Sequence, residues 1–140
     1  MPTYKELAAR LAVAAMMACL PHHATAQDKL DCATATATFE LNACSEIELD
    51  KADAQLNSIY KKLLAKIATS DGEKPYDAKS WEAALRASQR AWVAFRDADC
   101  KGLVALAAGG GTATTGEILG CMTEKTIRRT DELTTYYEAN

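Results

Sequence analysis

The sequence predicts a small all-α domain, an antiparallel helical hairpin with a third helix packed across it, stapled by disulfides. Three stretches carry apolar residues that recur three and four positions apart, which is the period of one face of an α-helix. No useful stretch alternates as a half-buried strand does, since the alternating segment 33–38 contains only alanine and threonine. The length of 140 residues and the composition, 49% hydrophobic and 25% charged, are typical of one folded domain.

The N-terminal segment 1–26 has the three parts of a secretory signal peptide. Two basic residues precede ten apolar residues at 11–20, and Ala24 and Ala26 lie at the two positions that a signal peptidase recognises. Ten apolar residues are too few to cross a bilayer as a helix, so we expect no transmembrane segment.

Cleavage after Ala26 would leave a mature domain at 27–140, in the periplasm or outside the cell. The alternative is a lipid anchor on Cys19. Met16 stands where lipoprotein signals carry a leucine-like residue, and a better cleavage site follows, so we expect no lipid anchor.

Four cysteines remain in the mature chain, and in an oxidising compartment they predict two disulfides with three connectivities. Their spacings contain no C-x-x-C pair, and both histidines precede the cleavage site. We therefore expect no metal site and no cofactor. Pairing of neighbours, Cys32 with Cys44 and Cys100 with Cys121, is the simplest of the three connectivities.

The first helix is predicted from about Thr38 to Thr69, where apolar residues form one stripe and charged residues mostly fill the other side. Ser45 and Glu48 have the spacing of a capping box, which would start the helix later. Phe39 continues the apolar stripe and favours the earlier start.

The connections between helices follow from glycine and proline. Gly72 suits a left-handed helix cap and Pro75 prevents continuation, so a second helix begins at Asp77, its N-cap, and extends to Ala107. Three glycines at 109–111 stop it, and a third helix covers Thr115–Tyr137 with Thr115 as the N-cap. The large aromatic residues of the second helix are expected in the core: Trp81, Trp92 and Phe95.

Two arginines are expected to form structural ion pairs. Arg96 lies four residues after Trp92, on or beside the apolar stripe, and a partly buried arginine needs a partner. Asp53 on the first helix or Glu132 on the third could supply it. Arg129 is interpreted in the same way, because a structural role is a simpler explanation than ligand binding.

Five motifs follow one another in a fixed order along the chain. They are Thr38-x-x-Leu41-Asn42-x-Cys44, Ala52-Asp53-x-x-Leu56-Asn57-x-x-Tyr60, Gln89-Arg90-x-Trp92-x-x-Phe95-Arg96-Asp97-x-x-Cys100, Gly110-Gly111-Thr112 and Cys121-x-x-x-x-Thr126-x-x-Arg129-Thr130-x-x-Leu133. This series resembles the lysozyme inhibitor LprI-like N-terminal domain family. The resemblance implies an exported, disulfide-bonded helical domain. It also implies lysozyme inhibition, because the family takes its name from a mycobacterial lipoprotein reported to inhibit lysozyme.

The loop 108–116 between the second and third helices is the predicted partner-binding site. It is small and uncharged, and a disulfide between Cys100 and Cys121 would hold both of its ends. Such a loop could enter a deep glycosidase cleft at low entropic cost. The alternative is that the glycines only permit the turn. The residues of this site are Gly109, Gly110, Gly111, Thr112, Thr114 and Thr115.

The residues favour a non-catalytic protein, because no histidine survives cleavage and no hydrolase motif is present. A pI near 5.4 excludes a strongly basic nucleic-acid binder. The leading hypothesis is a protein that inhibits a lysozyme-type glycosidase by filling its cleft without covalent chemistry. The alternative is a non-catalytic adaptor of the cell envelope, which binds another envelope protein or peptidoglycan.

Overall fold

A computed structural model describes residues 30–139, and the predicted signal peptide and its cleavage site lie outside them. Within the described residues the chain is all-α, with no strand, as predicted. A π-helical segment, Asp99–Val104, and a last α-helical turn, Ala105–Ala107, prolong the second helix. The three main helices are α1 (Thr38–Ile67), α2 (Ala78–Ala98) and α3 (Thr114–Ala139).

Helix α1 begins at the earlier of the two predicted starts. Glu40 Oε2 accepts the backbone N–H of Thr36 at 3.2 Å and of Ala37 at 3.1 Å. The amide of the N-cap residue Ala37, which has no intrahelical partner, and the amide that precedes it are thereby satisfied. At the start of α2, Asp77 is the N-cap as predicted, because its side chain accepts the backbone N–H of Ser80.

The left-handed cap predicted at Gly72 is wrong, because α1 already ends at Ile67 and positive φ angles within residues 30–139 occur only at Gly109 and Gly110. Glycine is required at position 72 for a different structural reason. A Cβ atom there would lie 2.5 Å from the carbonyl oxygen of Tyr76. The loop between α1 and α2 therefore requires a close approach of two backbone segments.

We expect Gly72→Ala to lower the free energy of unfolding by ~1–2 kcal/mol, because the added methyl group forces the Tyr76 carbonyl to move. Thermal denaturation would measure the change. Gly120→Ala is the matched control, since position 120 is an exposed helical site with open space around a Cβ. Alanine should stabilise the helix there. A Gly72→Ala protein that melts at or above the wild-type temperature would contradict this account.

Helices α1 and α3 run in the same direction, and α2 runs against both. The Asp53 carboxylate lies beside Thr126, and farther along the same two helices Lys66 Nζ donates to the carbonyl oxygen of Tyr137 at 2.7 Å. Arg96, near the end of α2, lies opposite Asp53. The hairpin with a third helix is thus confirmed, and α3 lies along α1, with which it makes the most extensive contact.

A small core and two disulfides hold the bundle together. The buried cluster contains Leu56, Leu63, Ile67 and Leu133. The disulfides are Cys32–Cys44 and Cys100–Cys121, the predicted neighbour pairing. Each disulfide stabilises a fold by ~3 kcal/mol, which is a large share of the stability of a domain with so few buried side chains.

The core prediction is confirmed for Trp92, which packs against the buried cluster, but it is wrong for two aromatic residues. Trp81 is 43% exposed and Phe95 is 58% exposed. Along α2 the side chains turned into the bundle include Arg96, and the residue before it points about 100° away from that direction. The Phe95 ring instead lies at the surface, where Lys125 Nζ is 4.8 Å from its centroid.

Candidate functional site

The glycine loop connects the last turn of the α2 extension to α3. Gly109 and Gly110 both have φ of +73°, a left-handed conformation that glycine adopts without steric cost. Gly111 does not have a positive φ, and a Cβ atom there would meet nothing within 4 Å. The turn therefore explains two of the three glycines, whereas the backbone at Gly111 would accept a Cβ atom without a steric clash.

The disulfide between Cys100 and Cys121 holds both sides of this loop. Cys100 is fully buried, and the two Cα atoms are 5.6 Å apart. The π-helical segment on one side and the first turns of α3 on the other are thereby fixed relative to each other. A loop anchored in this way loses little further conformational freedom when a partner binds it.

The threonines of the loop differ in their environments. Thr112 and Thr115 are exposed. Thr114 is the first residue of α3, and its Oγ1 is buried without a hydrogen-bond partner in the described structure. The prediction that Thr115 caps the helix is wrong, because α3 already begins at Thr114. The N–H of Glu117 donates to the carbonyl oxygen of Ala113 at 3.1 Å, which is the first hydrogen bond of this helix.

Acidic residues crowd the end of the bundle that carries the loop. Because α1 and α3 run in parallel, their N-terminal halves lie together, and Asn42 Oδ1 is 3.4 Å from the position of a Cβ on Gly116. The one basic residue between positions 30 and 60, Lys51, is paired with Glu48 at 2.8 Å. The acidic residues of the same stretch are Asp31, Glu40, Glu46, Glu48, Asp50 and Asp53.

Arg96 joins all three helices. Its Nη1 donates to Asp53 Oδ1 and to Thr126 Oγ1, both at 3.0 Å, and its Nε donates to Asp97 Oδ1 at 3.2 Å. The pKa of Asp97 is lowered mainly by the hydrogen bond from Lys101 and also by the Arg96 guanidinium. Arg96 is only 8% exposed. Its donors point into the bundle and hold helices together, so they are not available to a partner.

Arg129 bridges α3 to α2. It donates to Glu132 Oε2 and Ser88 Oγ at 2.8 Å, and to Gln89 Oε1 at 3.1 Å. Glu132, which the sequence offered as a partner of Arg96, is thus engaged by Arg129 on its own helix.

One group within residues 30–139 has the spacing of metal ligands. Donor atoms of Asp99, Cys100 and Cys121 lie within 4.8 Å of one another. The two sulfur atoms are joined in the disulfide, so neither can act as a thiolate ligand. Asp99 is instead paired with Lys125 at 2.9 Å.

A cleft of about 830 Å³ lies at the other end of the bundle, and sequence reasoning did not find it. It opens between the C-terminal ends of α1 and α3, the first half of α2 and the loop that joins α1 to α2. Four segments far apart in the sequence build its walls. No local motif could have indicated it.

The fold and the anchored loop define a class of small, disulfide-stapled, three-helix domains. The chain belongs to the lysozyme inhibitor LprI family, whose model matches residues 31–133, a span that includes both disulfides and the glycine loop. It is 33% identical over 129 residues to an uncharacterized protein of Rhizobium meliloti (strain 1021), with 90% of this chain and 92% of that protein covered. No solved structure matches the chain. None of the helices within residues 30–139 is apolar over the length that a bilayer requires.

Proposed function

We propose that the protein is exported and inhibits a lysozyme-type glycosidase by inserting the glycine loop into the substrate cleft. The observation that carries the proposal is the loop itself, which is uncharged, anchored by a disulfide and located at the acidic end of a domain of the LprI family. The contact residues of the proposed site are Gly109, Gly110, Gly111, Thr112, Thr114 and Thr115.

The shape and chemistry of the loop suit a glycan-binding cleft. Glycosidases of this kind carry two carboxylic acid groups on either side of the bond that they cleave. The backbone N–H groups of the loop and the exposed hydroxyl groups of Thr112 and Thr115 can donate hydrogen bonds to such carboxylates, whereas the Thr114 hydroxyl is buried. Inhibition then needs no covalent step, because the loop excludes the substrate by occupying its space.

The acidic end adds long-range attraction to a basic enzyme. Animal lysozymes are strongly basic, and complementary charge raises the rate of association more than the final affinity. Two of the six acidic residues between positions 30 and 60 form ion pairs, Glu48 with Lys51 and Asp53 with Arg96. The other four, Asp31, Glu40, Glu46 and Asp50, form no ion pair within residues 30–139 and give this end its negative charge.

Exposed leucines beside the loop offer the apolar contact that a stable interface needs. Leu103 is 66% exposed and Leu106 is 81% exposed. They belong to the π-helical segment and the turn that follows it, where the wider helical turn interrupts the stripe of α2. Apolar side chains next to an inserted loop would seal the rim of the cleft.

Export is part of the proposal and agrees with the two disulfides, which persist in oxidising compartments. The proposed leader is 1–26, and the proposed mature domain is 27–140. A location outside the cytoplasm would bring the protein together with enzymes that degrade cell walls.

The decisive experiment is a titration of oxidised residues 27–140 into c-type, g-type and bacterial lysozymes, with cell-wall lysis as the measurement. We expect saturable inhibition of at least one class, slower association at high salt, and loss of inhibition when the disulfides are reduced. Absence of inhibition by the folded, oxidised protein in all three classes would contradict the proposal. Co-purification with an envelope protein would then favour an adaptor.

A further inference from the structure

The cleft at the end of the bundle away from the glycine loop has the dimensions of a ligand site. Its volume of about 830 Å³ lies within the range of ~300–1,000 Å³ that small-molecule sites occupy. The opposite directions of α2 and α3 place it far from the loop. Its occupation would therefore be independent of lysozyme inhibition.

The floor of the cleft is aliphatic and its rim is aromatic. Leu63, Ile67 and Leu133 form the floor, and because they also belong to the core each is at most 7% exposed. Most of the open apolar surface therefore lies at the rim. Tyr76 and Trp81 are exposed at the rim. Apolar surface that is left open in a concave site is stabilised when a ligand covers it.

The charges that line the cleft have one sign. Lys66 and Arg129 line it and no carboxylate does, but Arg129 is already paired with Glu132 at 2.8 Å. Lys66 forms no ion pair within residues 30–139, so it is the cation that the cleft can offer to a ligand. Lys66 Nζ donates to the carbonyl oxygen of Tyr137, and an ammonium group has three N–H donors. An anion placed at Lys66 would accept a further hydrogen bond from its ammonium group.

We propose that this cleft binds a single-chain amphiphilic anion, a fatty acid, with the hydrocarbon chain along the aliphatic floor and the carboxylate at Lys66. A saccharide is the main rival, because Thr69, Ser70, Ser80 and Ser88 also line the cleft. The aliphatic floor offers it no hydrogen-bonding group, however, and Ser88 already accepts a hydrogen bond from Arg129. A second copy of the chain, with the two clefts facing each other across a two-fold axis, would bring two Lys66 ammonium groups into one interface. Both of these occupants are therefore disfavoured.

The first test is calorimetric titration of the oxidised protein with octanoate, decanoate and dodecanoate, each below its micelle concentration. We expect one site per chain and a dissociation constant that falls by about fourfold for each added methylene group. Decanol should bind at least ~tenfold more weakly than decanoate, and Lys66→Met should remove that difference. Equal binding of decanol and decanoate to the wild type would overturn the role of Lys66.

The second test fills the cleft. Ala84 lines it and Ala87, on the same helix, does not, and both alanines are exposed. Ala84→Trp should abolish decanoate binding, whereas Ala87→Trp should bind as the wild type does. Unchanged binding to Ala84→Trp would overturn the proposed location. Three results would overturn the proposed ligand. The first is the absence of saturable binding of dodecanoate to the wild type, the second is a chito-oligosaccharide that binds more tightly than dodecanoate, and the third is a stable dimer that buries the cleft.

Discussion

Gly111→Trp is expected to abolish lysozyme inhibition while leaving the fold intact. Position 111 has no positive φ and open space around a Cβ, so the backbone accepts a large residue without strain. In a narrow glycan cleft the indole ring would collide with the walls that the loop must pass. We expect the inhibition constant to rise at least ~100-fold, which corresponds to ~2.7 kcal/mol of binding free energy. Cell-wall lysis assays and thermal denaturation would measure binding and folding separately.

Position 111 is a cleaner test than position 110. Gly110 has φ of +73°, so a tryptophan there would strain the backbone as well as block insertion. The control is Ala83→Trp, which adds the same side chain at an exposed site in the first half of α2, away from the loop. Ala83→Trp should inhibit like the wild type. Full inhibition by a folded Gly111→Trp protein would show that the loop does not enter the cleft.

Much of the fold could be predicted because it depends on local signals. The period of apolar residues fixed the three helices, and the N-cap at Asp77 is determined by neighbouring residues alone. The disulfide pairing followed from chain proximity. Local signals were misleading at Gly72. Glycine is required there because the Tyr76 carbonyl group lies close across the loop, and not because a helix ends there.

Features that depend on the rotation of one helix against another could not be predicted. The sequence placed Phe95 and Arg96 on or beside one apolar stripe, but the structure turns the arginine inward and the ring outward. A small shift in helix rotation decides between these two arrangements. The π-helical segment had no sequence signal that we could use.

The two candidate sites also differ in how far the sequence could predict them. The glycine loop is contiguous in sequence, so its position and its disulfide anchor could be predicted, although its function remains a proposal. The fatty-acid cleft is assembled from four separated segments. Such a site becomes visible only when the helices are placed together in space.

Arg96→Ala is expected to lower the free energy of unfolding by ~3 kcal/mol, because it removes a buried guanidinium together with its hydrogen bonds and packing. The guanidinium is the shared donor to Asp53 on α1 and Thr126 on α3. Thr126 is fully buried, so its hydroxyl oxygen would lose its donor and the hydroxyl group would keep only the long hydrogen bond to Asp53 at 3.5 Å. The guanidinium also lies 5.2 Å from the ring of Trp92, a contact that would be lost as well. For a domain of this size the melting temperature should fall by ~10–15 °C.

Arg86→Ala is the control for this prediction, because it removes the same side chain from the same helix. Arg86 pairs with Glu82 at 2.7 Å, but both side chains are about half exposed. Exposed pairs of this kind contribute ~0–1 kcal/mol, since water and salt weaken them. Urea denaturation of the two variants should therefore give clearly different midpoints. If Arg96→Ala unfolded at the same urea concentration as Arg86→Ala, Arg96 would not be the residue that holds the three helices together.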